Sequence, residues 1–227
     1  MDFYPNCDRI ALRCIPAWTG NGSKEEFNMK NSFKPRQMTL LGLLCGIIII
    51  MSVTPLGYLR FGALSITLNM IPVAIAAVAM GPLGGAITGL VFGLTSFFAA
   101  LTGGSSMGII MMNISPALTF VQSVLPRLAM GICVGLLYRW MHRVTKKGMA
   151  AYAAGFSAAF LNTLFYMTSL VVLFGNTEYV QGLIGGRNII VFMCAFVGFN
   201  AVFEIICATV VTGILGKTLE KARLLGR

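Results

Sequence analysis

Seven polar side chains stand inside otherwise apolar stretches of this chain: Thr67 and Asn69, Arg127, Asn162 and Thr163, and Asn200 with Glu204. Their types suit recognition more than reaction. Arg127 carries a rigid fork of N–H donors that matches a carboxylate or phosphate. The asparagines each offer a donor pair and an acceptor, and the threonines a hydroxyl, which suits ligand hydroxyls and amides. Glu204 follows Asn200 by four residues, so the two share a helix face. Polar groups at membrane depth are costly and turn toward a bundle interior or a watery cavity. Each also has a plainer reading. Arg127 pairs with Glu204, or snorkels to the headgroups from two turns inside its span. Asn162 and Thr163 serve equally well as hydrogen bonds between helices, at about 0.6 kcal/mol each.

Catalytic chemistry finds little support. The single histidine, His142, lies in a basic stretch between apolar runs, so no Ser/His or Cys/His pair forms within them. HExxH, a paired-aspartate motif and a GxxxxGK[ST] phosphate loop are all missing from the sequence. Cys45, Cys133, Cys194 and Cys207 sit in apolar runs as small hydrophobes, while Cys7 and Cys14 belong to a polar head. No CxxC or Cys/His spacing suggests a metal, and nothing calls for a cofactor.

The elements that must position these residues are membrane helices. The chain has 227 residues, 57% hydrophobic and 11% charged, with a mean hydropathy of +0.83. Soluble domains carry about 25% charged residues, so the expected fold is an all-α integral membrane protein. Hydropathy divides it into six spans near 38–56, 61–80, 82–101, 118–140, 149–174 and 188–215, each close to the roughly 20 residues a bilayer requires. The third carries Gly81, Gly85, Gly89 and Gly93 at intervals of four. On a helix that spacing leaves one face without side chains, where another backbone can approach. Two partners are open to it: a neighbouring helix of the same bundle, or a separate subunit. Residues 1–37 are polar and hold Pro5, Pro16 and Pro35. They read as a disordered extension, with Met29 as an alternative start. Residues 38–217 form the membrane domain and 218–227 a basic tail.

Charge orients the bundle. With six spans and a cytoplasmic amino terminus, every Lys and Arg except Arg60, Arg127 and Arg187 falls inside, as the positive-inside rule demands. Five spans would put the tail cluster Lys217, Lys221, Arg223 and Arg227 outside. Both termini are therefore expected in the cytoplasm. The net charge of +10 reflects topology beside anionic lipid rather than nucleic-acid binding.

The segments Leu64-Ser-Ile-Thr-Leu-Asn-Met-Ile-Pro-Val-Ala-Ile and Met80-Gly-Pro-Leu-Gly-Gly-Ala-Ile-Thr-Gly-Leu-Val-Phe-Gly-Leu-Thr-Ser-Phe carry a resemblance. So do Leu125-Pro-Arg-Leu, Leu161-Asn-Thr, and Asn200 with Glu204. In this order, over about residues 38–217, the series resembles the substrate-binding (S) components of energy-coupling factor (ECF) vitamin transporters, nearest the pantothenate-type branch. The resemblance implies a non-enzymatic, multi-pass subunit of a prokaryotic plasma membrane. It would capture a water-soluble vitamin outside, pantothenate foremost, and topple in the bilayer to release it inward. Its implied partners are a membrane scaffold subunit and two ATPase subunits. Thr67, Asn69, Arg127, Asn162, Thr163, Asn200 and Glu204 are then the pocket candidates. The family's Ala-xxx-Ala scaffold contact in the first span would fall on Gly42-Leu-Leu-Cys-Gly46, a departure in residue type. A competing reading is a self-sufficient carrier for a small polar solute, with Glu204 as its ion or proton site.

Overall fold

The computed structural model describes residues 35–54, 58–61, 64–104, 106–144, 148–184 and 189–221, within a compact unit that spans Phe33–Arg227. The polar head, residues 1–34, lies outside the described residues. Eight helices and one hairpin follow in order: α1 (Pro35–Val53), β1 (Tyr58–Phe61), β2 (Leu64–Thr67), α2 (Met70–Met80), α3 (Pro82–Leu101), α4 (Ser106–Ile114), α5 (Pro116–Val144), α6 (Met149–Phe174), α7 (Glu178–Ile184) and α8 (Ile189–Lys221). Among the described residues, five stretches are long and apolar enough to cross a membrane: α1, α3, α5, α6 and the part of α8 from Ala201 to Leu219.

The second expected span is where the structure departs from the hydropathy. Its first half is a strand rather than helix: β2 pairs antiparallel with β1, Tyr58 opposite Thr67 and Phe61 opposite Leu64. The alternation Leu64-Ser65-Ile66-Thr67 has the period of a strand, and a hydropathy average cannot see it. Only Met70–Met80 is helical, eleven residues, about 16 Å at 1.5 Å per residue. All but Ile71 of these are buried, because α2 stands at the centre, against α1, α3, α5, α6 and α8. Its alanines Ala74, Ala76, Ala77 and Ala79 are small enough to let those neighbours close in. Such a short helix is stable at depth when protein rather than lipid surrounds it.

Gly81 ends α2 and Pro82 begins α3. The glycine has φ +75°, a conformation that side chains with a Cβ avoid, and its N–H bonds the Ala77 carbonyl at 2.9 Å. Proline at the first helical position costs α3 no hydrogen bond. Beyond this elbow the glycine stripe meets α5. A methyl at Gly85 would strike the Gly131 carbonyl, one at Gly89 would lie 2.5 Å from the Arg127 carbonyl, and one at Gly93 2.8 Å from the Val124 Cα. The reciprocal positions Gly131 and Gly135 abut Gly85 and Pro82. Each four-residue step along α3 is answered by about four residues back along α5, so the two helices run antiparallel with touching backbones. A second seam joins α6 to α8, where Gly155 meets Ala208, Gly213 meets Tyr152 and Gly216 meets Ala151. Between the third and fourth expected spans stands the separate helix α4. With α7 it surrounds a small cluster of Met107, Met111, Met167, Leu170, Phe174 and Val180.

Candidate ligand-binding site

The candidate site is built around Arg127. It is 9% exposed, so its side chain has not snorkelled out. Nη1 donates to the Ser123 carbonyl at 2.9 Å and to the Gln122 carbonyl at 3.4 Å. The second acceptor is made available by sequence: Pro126 lacks the N–H that would have bonded Gln122 four residues back. Two rings flank the guanidinium, Phe92 of α3 at 4.9 Å and Tyr166 of α6 at 5.1 Å from their centroids. Each such contact contributes about 0.5–2 kcal/mol. Carbonyls and rings, rather than a carboxylate, thus hold Arg127 among the described residues, and its Nε is buried with no acceptor. A cation so fixed is prepared for an anion from outside the chain.

Among the described residues, three buried amide oxygens share this deficit: Asn69 Oδ1, Gln122 Oε1 and Asn162 Oδ1 have no donor. Asn69, fully buried just before α2, spends its amide N–H on Ser52 Oγ of α1 at 2.9 Å. It therefore does not cap α2. Gln122 is 1% exposed and donates to the Tyr166 carbonyl at 3.0 Å.

Helix register brings these groups together. Gly85 beside Ala77 and Gly131 aligns α2, α3 and α5. Continued one residue for one residue, that pairing sets Asn69 beside Phe92–Gly93 and those beside Val124 and Arg127. Gln122 against Tyr166 sets Asn162 near Pro126–Arg127 on the antiparallel α6. Gly155 against Ala208 sets Glu204 of α8 within a turn of Asn162. Asn69, Arg127, Asn162 and Glu204 therefore lie at one depth of the bundle. Glu204 is 6% exposed and has a partner of its own. Thr163 is half-buried on α6. The side chains of Thr67 and Asn200 lie outside the described residues. Ser52, Phe92, Gln122 and Tyr166 contact these candidate groups but were not in the sequence-based set. Gln122 had a signal, an amide inside an apolar run four residues before Pro126; the rings had none. Among the described residues, no three His, Cys, Asp or Glu side chains converge as metal ligands.

A family model for the ECF transporter, substrate-specific component, matches residues 36–216. The chain belongs to that family. Among relatives of this S component, the pantothenate transporter PanT of Leuconostoc mesenteroides is 27% identical over 194 residues, covering 82% of this chain and 93% of its own. The pantothenic acid transporter PanT of Lactococcus lactis subsp. cremoris is 28% identical over 171 residues, covering 69% and 79%. The solved structure of ThiT from Listeria monocytogenes superposes with a TM-score of 0.58 at 17% identity, over 84% of this chain and 97% of that one. That likeness is one of fold. This S component is accordingly a multi-pass protein of a prokaryotic plasma membrane and a transport subunit, not an enzyme. The self-sufficient carrier gives way to a subunit of a larger transporter.

Proposed function

We propose that this S component captures pantothenate on the outer side of the membrane. A membrane scaffold and two ATPase subunits then drive its delivery inward. One observation carries the choice of ligand: a buried guanidinium with an unused Nε lies at the same depth as amide oxygens that lack donors. Pantothenate combines a carboxylate, an amide N–H and two hydroxyls. Its carboxylate satisfies Arg127, and its donors satisfy Asn69, Gln122 and Asn162. The names of the two PanT relatives point the same way. Thr67, Thr163, Asn200 and Glu204 complete the pocket set, with both termini in the cytoplasm.

The scaffold would dock on α1. Of its nineteen residues only Gln37, Leu44 and Ile48 are buried, and a methyl at Gly42 or Gly46 meets nothing within 4 Å. Leu43, Ile47 and Ile50 are exposed beside those glycines. This face is available to another helix, whereas Gly81, Gly85, Gly89 and Gly93 are engaged within the bundle.

Equilibrium binding of the purified chain to a panel of water-soluble vitamins tests the ligand. Saturable binding of pantothenate is expected, weakened by at least about a hundredfold in Arg127→Met, since a buried charge-assisted pair accounts for roughly 3 kcal/mol or more. Saturable binding of another vitamin but not pantothenate would refute the reading.

A further inference from the structure

Of the three amide oxygens without donors, only that of Gln122 is identified by its surroundings. Asn69 faces a serine hydroxyl, which serves as donor or acceptor alike. Gln122 faces the backbone carbonyl of Tyr166, which also accepts from Ser169 Oγ at 3.1 Å and, as a helical carbonyl, from the N–H four residues on. A carbonyl presented to that oxygen would be repelled. The amide of Gln122 must therefore turn its nitrogen to Tyr166, and Oε1 is left as a buried, oriented acceptor with no donor. Its backbone also adjoins the guanidinium, because Arg127 Nη1 reaches the Gln122 carbonyl at 3.4 Å. The anion anchor has folded back onto the turn that carries this acceptor.

We infer that Gln122 is a specificity-determining residue that accepts the N–H of an amide two carbons from the ligand carboxylate. The inference rests on the pantothenate reading above. In pantothenate two methylenes separate the carboxylate from the amide nitrogen, a reach of about 4–5 Å at ordinary bond lengths. With the carboxylate on Arg127, the first donor along the ligand is this N–H, and the hydroxyls lie beyond it. An amide-bearing acid is then accepted, while a ligand with oxygen at that position sets one acceptor against another. Discrimination of this kind is strong because the analogue leaves a buried polar group unpaired. Tyr166 takes part twice, its ring stacking on Arg127 and its carbonyl orienting Gln122.

The test compares pantothenate with its ester analogue, in which the amide N–H is replaced by oxygen, by calorimetric binding to the purified full chain. The wild-type protein should favour the amide by about tenfold to a hundredfold, the range for a buried acceptor left unsatisfied. Gln122→Met, similar in length but without the oxygen, should hold both ligands within about threefold of each other, and Gln122→Leu should agree. Equal wild-type affinity for the two ligands overturns the inference and needs no variant, so a substitution that unfolds the protein does not shield it. Undiminished preference in both folded variants overturns it as well. A structural water on Oε1, which would satisfy the acceptor without the ligand, predicts the first of these results. Failure of the wild-type chain to bind pantothenate at all would instead remove the substrate assignment, a distinguishable outcome.

Discussion

A guanidinium inside a membrane bundle is sustained here by contacts that are weak singly. The Ser123 and Gln122 carbonyls take one nitrogen, and Phe92 and Tyr166 cover the faces. Removing one ring tests that arrangement. Tyr166→Leu should weaken pantothenate binding by about threefold to thirtyfold, the range of one desolvated cation–π contact. Tyr166→Phe, which keeps the ring, should stay near wild type in the same titration. The motif Leu125-Pro-Arg-Leu also acquires a physical meaning. Pro126 releases the Gln122 carbonyl, and the next residue takes it. Pro126→Ala would return an N–H to that carbonyl, and a severalfold loss of affinity without loss of the folded state is expected. An unchanged affinity would show that the Ser123 bond alone positions Arg127.

At the scale of elements, the glycine ladder of α3 is a positioning device for α5. The Gly89 backbone rests against the Arg127 carbonyl, so the ladder sets how far the anchor stands from Phe92. Gly89→Ala puts a methyl 2.5 Å from that carbonyl oxygen. Backbone cannot yield as a flexible side chain does, so the helices must part, at about 1–3 kcal/mol. Lower thermal stability in detergent and weaker pantothenate binding should follow together. The contrast is Gly46→Leu on α1, where the space is open. Binding by the isolated chain should persist while uptake with scaffold and ATPase subunits falls. Should Gly46→Leu leave uptake intact, docking must use another face. The two glycine motifs look alike in sequence; their surroundings separate them.

For the whole molecule, the proposed orientation, with both termini in the cytoplasm, rests on charge and is open to direct measurement. A single cysteine at position 221, with the native cysteines replaced, should be labelled by an impermeant maleimide only when the cytoplasmic face is accessible. Labelling of intact cells would place the tail outside and refute the six-span topology. The central position of α2 also bears on movement. A short helix wrapped by five others holds the site at a fixed depth in the bundle, as the proposed delivery by a partner scaffold would require of a subunit that moves as one body.

Much of this protein was decided by the sequence alone. Apolar runs of bilayer length require membrane helices, because lipid offers the backbone no partners, and the ordered motifs led to the family. Arg127, Asn69 and Asn162 were visible as polar groups that a bilayer would not tolerate on its lipid face. Tertiary structure decided which of two glycine motifs packs inward, since spacing states that a face is smooth but not what lies against it. It also replaced half of an expected span with a hairpin, because hydropathy averages over the two-residue period that marks a strand. The stacking of Phe92 and Tyr166 on Arg127, and the orientation of Gln122, arise from residues tens of positions apart. Only helix register brings such residues to one depth, and register is a property of the packed bundle rather than of any segment in it.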